Sequence, residues 1–108
     1  MTDVFKELYS VVLDRKTNPQ ENSYTCYLYE KGLDKILKKV GEECAEVIIA
    51  GKNQNDDELV NEVCDLFYHL MVLLAQRDIG LEAVQTELAA RAGKIGNLKP
   101  MKNTDRQT

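Results

Sequence analysis

Two acidic pairs in the 108-residue chain, Glu43-x-x-Glu46 and Glu62-x-x-Asp65, are the residues whose types and spacing suggest chemistry. Side chains three apart share one face of a helix, so each pair presents two carboxylates together wherever its segment is helical. Four carboxylates at one place repel, and either protons or a cation must relieve them. Magnesium is the natural cation, since it takes oxygen ligands, keeps several waters and bridges protein carboxylates to phosphates. The chemistry implied is that of a magnesium site open to a phosphate-bearing substrate. The plain alternative is that, among 18 acidic residues, these pairs only decorate solvated helix faces or form helix ion pairs.

The elements that must position these residues are helices. With two prolines, six glycines and no run of period two, sheet is not expected. Asp3 to about Asp14 reads as a first helix with Val4, Phe5, Leu8, Val11 and Val12 apolar, ending before Asn18 and Pro19. Residues 22–30 form a short helix or turn, closed off by Gly32. From about Leu33 to Ala50 the apolar residues Leu33, Ile36, Leu37, Val40, Cys44, Val47 and Ile48 recur at spacings of three and four. Gly51 suits a left-handed cap at the end of that helix. Asn55, with Glu58 three residues on, signals the start of the next, about Asp56 to Gln76. Its stripe is Leu59, Val63, Leu66, Leu70, Leu73 and Leu74. A last helix, about Leu81 to Ala92, carries Leu81, Val84 and Leu88.

A connection of about five residues makes the two long helices an antiparallel hairpin. At about 100° per residue, both acidic pairs fall on the trailing flank of their stripes, and in an antiparallel pair those flanks meet on one side. The positions are symmetric about residue 54, which sets Glu43 opposite Asp65 and Glu46 opposite Glu62. Glu42 points away from the core. Lys39 lies on the same flank one turn before Glu43, where it could meet a phosphate oxygen or pair with Glu43. His69, one turn beyond Asp65, reads as a residue at the boundary of the core or as a partner to the acidic group.

Composition narrows the rest. A net charge of −4 and a pI near 5.0 argue against a nucleic-acid binder, which needs a basic surface. The longest apolar run, Leu70 to Ala75, falls far short of the ~20 residues of a membrane span, and Asp3, Lys6 and Glu7 interrupt any signal-like N-terminus. Cys26, Cys44 and Cys64 lack CxxC spacing and read as small buried side chains of a reducing compartment, the cytoplasm. A single histidine disfavours zinc and carboxylate-bridged di-iron sites. The expected architecture is all-α: one domain over residues 1–95, an antiparallel helical bundle built on a central helix hairpin, with 96–108 as a mobile tail. The short terminal helices are too few to cover both long stripes, which points to completion by homodimerisation.

Ser23-Tyr24-Thr25, the run from Gly32 to Glu43 with Glu46, Ala50 and Lys52, and the run Glu62 to Leu70 resemble the phosphoribosyl-ATP pyrophosphohydrolases of histidine biosynthesis, over roughly residues 4–95. The acidic pairs alone resemble only the broader all-α, MazG-like nucleotide pyrophosphatase group. The resemblance implies a magnesium-dependent homodimer that hydrolyses phosphoribosyl-ATP to phosphoribosyl-AMP and pyrophosphate. It implies Glu43, Glu46, Glu62 and Asp65 as metal ligands, and Lys39 and Lys52 on the phosphate side. One of Glu43 or Glu46 is expected to accept the attacking water's proton. Two rival readings remain: a house-cleaning nucleoside triphosphate pyrophosphohydrolase with the same cluster, and a non-catalytic helical dimerisation module.

Overall fold

The computed structural model describes residues 3–94, 96 and 99–106, and within them it is all-helical. Five α-helices follow one another: α1 Val4–Thr17, α2 Tyr24–Lys31, α3 Leu33–Lys52, α4 Asp56–Gln76 and α5 Leu81–Ala92, with a 3₁₀ turn at Asn103–Arg106. The expected hairpin is present, and α3 against α4 is the most extensive pairing in the molecule. No helix among the described residues is long and apolar enough to cross a membrane.

Local signals explain most boundaries. The Asp3 carboxylate accepts from the backbone N–H groups of Phe5 and Lys6 at 3.0 and 3.2 Å, capping α1. Ser23 caps α2 by accepting from Cys26 N at 3.1 Å, and Asn55 caps α4 by accepting from Glu58 N at 3.1 Å. Each such cap satisfies an N–H group that has no partner inside the helix. Gly32 joins α2 to α3 at φ 92°, a backbone conformation that a side chain would resist.

The third helix ends differently from the sequence expectation. Gly51 stays helical, and α3 continues to Lys52. The left-handed residue is Gln54, at φ 58°. Its N–H reaches Gly51 O at 3.3 Å, so the turn tightens after the glycine rather than at it. The first helix likewise runs on to Thr17, three residues beyond the expected Asp14.

The core sits at one end of the hairpin. Tyr9, Val12, Leu28, Ile36, Met71, Val72, Ala75 and Leu81 form one buried cluster joining all five α-helices. Tyrosine hydroxyls lock that end. Tyr9 donates to Ile79 O at 2.6 Å and Tyr29 to Val12 O at 2.7 Å. Lys16 donates to Ala75 O and to Asp78 Oδ1, each at 2.8 Å, placing a cation at the C-terminal end of α4 where the helix dipole favours one.

The other end is bare. Ile48 is 70% exposed, Val60 64% and Ile49 55%. Beside the core, a groove of about 290 Å³ lined by Phe5, Phe67, Met71, Leu81, Val84 and Leu88 lies open between α1, α4 and α5. The radius of gyration, 16.2 Å, exceeds the roughly 13 Å of a compact chain of this length.

The cysteine expectation is corrected here. Cys44 and Cys64 are exposed and Cys26 is half-buried, all three as free thiols. Cys44 belongs to the apolar stripe of α3 and Cys64 lies beside Val63 on α4, but nothing within one chain covers either position. In α1 the buried residues are Tyr9 and Val12, while Val4, Phe5 and Val11 remain exposed. Of the expected tail, positions 97, 98, 107 and 108 lie outside the described residues.

Leu28, fully buried on the shortest α-helix, is the packing test of this arrangement. Leu28→Ala is expected to lower unfolding free energy by about 2–5 kcal/mol, the usual range for a buried leucine. Urea denaturation followed by circular dichroism measures it, and a loss below about 1 kcal/mol would show that α2 is not part of the cooperative core.

Candidate active site

The α3–α4 hairpin brings the acidic pairs together. Glu43, Glu62 and Asp65 each offer a carboxylate oxygen, and these oxygens all lie within 4.8 Å of one another. Glu43 is buried on α3, while Glu62 and Asp65 are half-buried on α4. The exposed Glu46 stands beside this group, close enough to share a proton with both Glu43 and Glu62. The antiparallel register thus does what the spacing implied: helical positions 43 and 46 face 65 and 62.

The electrostatics are those of crowded like charges. Burial raises the Glu43 carboxyl above its ordinary value, and contact with Glu46 pushes it the same way, while His69 and Lys39 oppose the rise. Glu62 is pushed up to about 7, first by its proton-sharing contact with Glu46, then by desolvation and the charges of Glu46, Asp65 and Glu43. Two buried oxygens, Glu43 Oε2 and Glu62 Oε2, have no hydrogen-bond partner. Buried carboxylate oxygens without donors are costly, and these belong to residues whose carboxylates crowd together. The donor set is all oxygen, which suits a hard divalent cation such as magnesium.

The neighbouring residues sort themselves by geometry. Lys39 lies 3.6 Å from Glu43 and 3.2 Å from Glu42, so it pairs with both. The Glu42 hydrogen bond raises the Lys39 pKa and keeps the ammonium charged. Glu42 remains outside the cluster, as its helical angle requires. Lys52 is exposed at the last turn of α3. Nine residues past Glu43, at about 100° each, it falls on the opposite side of the helix, so one chain does not bring it to the carboxylates.

His69 is buried, and its hydrogen bonds go to a main-chain carbonyl and a tyrosine rather than to a carboxylate. Its Nδ1 lies 2.7 Å from Asp65 O, one turn back on α4, and its Nε2 lies 3.0 Å from the Tyr24 hydroxyl. A carbonyl can only accept, so Nδ1 carries the proton and Nε2 accepts from Tyr24. Thr25 Oγ1 pairs with the Tyr68 hydroxyl alongside. The Ser23-Tyr24-Thr25 segment therefore caps α2 with its serine and clamps α2 onto α4 with the other two. Its role at the site was not read from spacing. The usable signal was the N-cap at Ser23, which sets Tyr24 and Thr25 on the first turn of a helix.

An all-α hairpin in which Glu43, Glu62 and Asp65 converge, with Glu46 beside them, presents an oxygen donor set of the kind that suits a divalent cation. A family model described as phosphoribosyl-ATP pyrophosphohydrolase matches residues 5–92, and the chain belongs to that family. A protein of Clostridium novyi (strain NT) named phosphoribosyl-ATP pyrophosphatase is 59% identical over 98 residues, covering 91% of this chain and 89% of the relative. A relative of the same name from Listeria welshimeri is 57% identical over 102 residues, 94% of this chain and 98% of its own length. Another from Clostridium botulinum (strain Kyoto / Type A2) is 53% identical over 102 residues, with 94% and 93% covered.

The raised Glu62 carboxyl sets a pH dependence. Between its ordinary 4.5 and about 7 the folded chain holds a proton that the unfolded chain has released. Stability therefore falls as pH rises through that window, because the folded state is the one binding more protons. Thermal melts without divalent ions should show Tm declining from about pH 5 to about pH 8, and Glu62→Gln should flatten the decline. Magnesium should raise Tm more at the high end, where no proton competes for the site. A wild-type Tm independent of pH and of magnesium would refute the cluster's electrostatics.

Proposed function

We propose that the chain hydrolyses phosphoribosyl-ATP between its α and β phosphates, giving phosphoribosyl-AMP and pyrophosphate, the second step of histidine biosynthesis. The observation that carries this reading is the convergence of Glu43, Glu62 and Asp65, with two buried oxygens lacking partners, in a member of this family.

Glu43, Glu46, Glu62 and Asp65 would hold magnesium. When bound, the ion would neutralise phosphate charge and lower the pKa of a coordinated water. Of the two glutamates expected to accept the attacking water's proton, Glu46 lies outside the three-residue group and is exposed, so it is the base in this reading. Lys39, half-buried beside Glu43, supplies the phosphate-side positive charge. A phosphate role for Lys52 requires a site shared between subunits, since its own α3 turns it away from Glu43.

The assembly in this reading is a homodimer. The exposed Leu37, Ile48, Ile49 and Val60 and the open groove beside α5 are the surfaces a second copy would cover. The same reading places the enzyme in the cytoplasm, in keeping with its three free thiols.

Glu62→Gln keeps the size of the side chain and removes its charge. It is expected to reduce magnesium-dependent pyrophosphate release from phosphoribosyl-ATP by about 10²–10³-fold, as loss of a charge-stabilising group commonly does. Wild-type protein should release little pyrophosphate from ordinary or damaged nucleoside triphosphates assayed in parallel. Equal turnover of those nucleotides overturns the biosynthetic substrate in favour of a house-cleaning enzyme. Undiminished activity in both Glu62→Gln and Glu46→Gln overturns the assignment of the site.

A further inference from the structure

Beside the carboxylates lies an aromatic surface that hydrolysis of a phosphoanhydride does not by itself require. Tyr24 and Tyr27, three residues apart on α2, have ring centroids 6.0 Å apart and planes 22° from parallel. They remain 44% and 39% exposed. Lys31 Nζ lies 5.8 Å from the Tyr27 ring centroid, at the outer end of the pair.

The inner ring is held in place. The Tyr24 hydroxyl donates to His69 Nε2 at 3.0 Å, and His69 is anchored on Asp65 O at 2.7 Å. The His69 ring meets Tyr24 edge-on, with centroids 5.7 Å apart and planes at 77°, while Tyr68 supports it at 6.1 Å. Two hydrogen bonds thus connect an open aromatic ring to the backbone of a cluster residue. Lys39, Glu42 and Glu43 are all close enough to act on Tyr24 electrostatically. A fixed ring has already lost the freedom that a ligand would otherwise have to remove, so its open surface is preorganised for a flat partner.

We propose that Tyr24, extended by Tyr27, forms the shelf on which the substrate's purine base stacks while its polyphosphate reaches the carboxylates. The proposal rests on the nucleotide reading above. One ribose separates a nucleotide's base from its first phosphate, so a base shelf has to border the acidic group, as Tyr24 does. His69 is a positioning residue here: it fixes the ring through the hydroxyl and does not meet the base. Stacking on an aromatic ring needs no particular hydrogen-bond pattern and contributes about tenfold to a hundredfold in affinity per base.

The test separates the base from the phosphates. Isothermal titration in magnesium would compare phosphoribosyl-AMP, AMP and inorganic pyrophosphate on wild type, Tyr24→Leu and Tyr24→Trp, with circular dichroism melts confirming folding. Tyr24→Leu should weaken both purine ligands by about tenfold and leave pyrophosphate within about twofold. Tyr24→Trp, which keeps an aromatic face, should retain purine binding. With phosphoribosyl-ATP, Tyr24→Leu should raise KM more than it lowers kcat. Equal weakening of purine ligands and pyrophosphate would mean that Tyr24 only braces α2, and unchanged purine affinity would mean that no base stacks there; either overturns the shelf.

If Tyr24→Leu does not fold, Tyr27→Leu carries the test. It should give the same purine-selective loss at about threefold, and no loss overturns the proposal. Selective loss of AMP binding in a protein that neither binds nor cleaves the phosphoribosyl nucleotides keeps the shelf and refutes the substrate.

Discussion

Mutual repulsion among carboxylates held side by side is the constraint on which this structure turns. Glu43, Glu62 and Asp65 converge within 4.8 Å, and nothing local to either helix would keep them there. Left alone, α3 and α4 would relieve the repulsion by splaying. The buried end of the hairpin prevents that. Ile36 of α3 and Met71, Val72 and Ala75 of α4 are packed with Tyr9, Val12, Leu28 and Leu81, and the hydroxyls of Tyr9 and Tyr29 tie the flanking chain to backbone carbonyls. Apolar packing at one end thus holds an unfavourable charge arrangement at the middle, and the Glu43 and Glu62 carboxyls are pushed up by burial and by their neighbours' charge.

The second helix, α2, links those two regions. It has eight residues, too few to be stable by itself, and tertiary contacts have to hold it. Leu28 places it in the core, while Tyr24 and Thr25 fasten it to His69 and Tyr68 of α4. The histidine has a defined part in this. With Nδ1–H committed to Asp65 O, its Nε2 is left as an acceptor in a buried setting, and only a donor such as the Tyr24 hydroxyl satisfies it. One side chain thereby fixes where α2 sits relative to the acidic group.

Much of this was legible in the sequence, and the failures share one cause. Periodicity placed α4 and α5 at their observed bounds, and the symmetry of 43, 46, 62 and 65 about residue 54 anticipated the facing pairs. What periodicity reports is that a face is apolar, not which partner covers it. Hence Cys44 and Cys64, read as buried, are exposed in the single chain. Tyr9 and Val12 are the residues of α1 that reach the core, rather than Val4, Phe5 or Val11. Gly51 shows a different limit: glycine permits a left-handed cap without demanding one, and Gln54 took the conformation instead. His69 was ambiguous because one of its hydrogen bonds stays within α4 while the other, to Tyr24, depends on the docking of α2, which no spacing rule supplies.

The site also lies on a gradient of burial that the hairpin imposes. Within the site, Glu43 is buried and Glu46 exposed on α3, and His69 is buried while Asp65 and Glu62 are half-buried on α4; beyond it on α3, Ala50 is buried again. Three residues of helix, about 4.5 Å of rise, separate a desolvated carboxylate from a solvated one. Such a gradient divides labour among chemically similar groups. A desolvated carboxylate beside a second one has reason to take a cation, and a solvated one has freedom to exchange a proton with water. In the homodimer proposed above, a second copy over Ile48, Ile49 and Val60 would approach the solvated end first. Its arrival would dry Glu46 and Glu62, raise the cost of their unshared charge, and couple subunit association to the cation that relieves it.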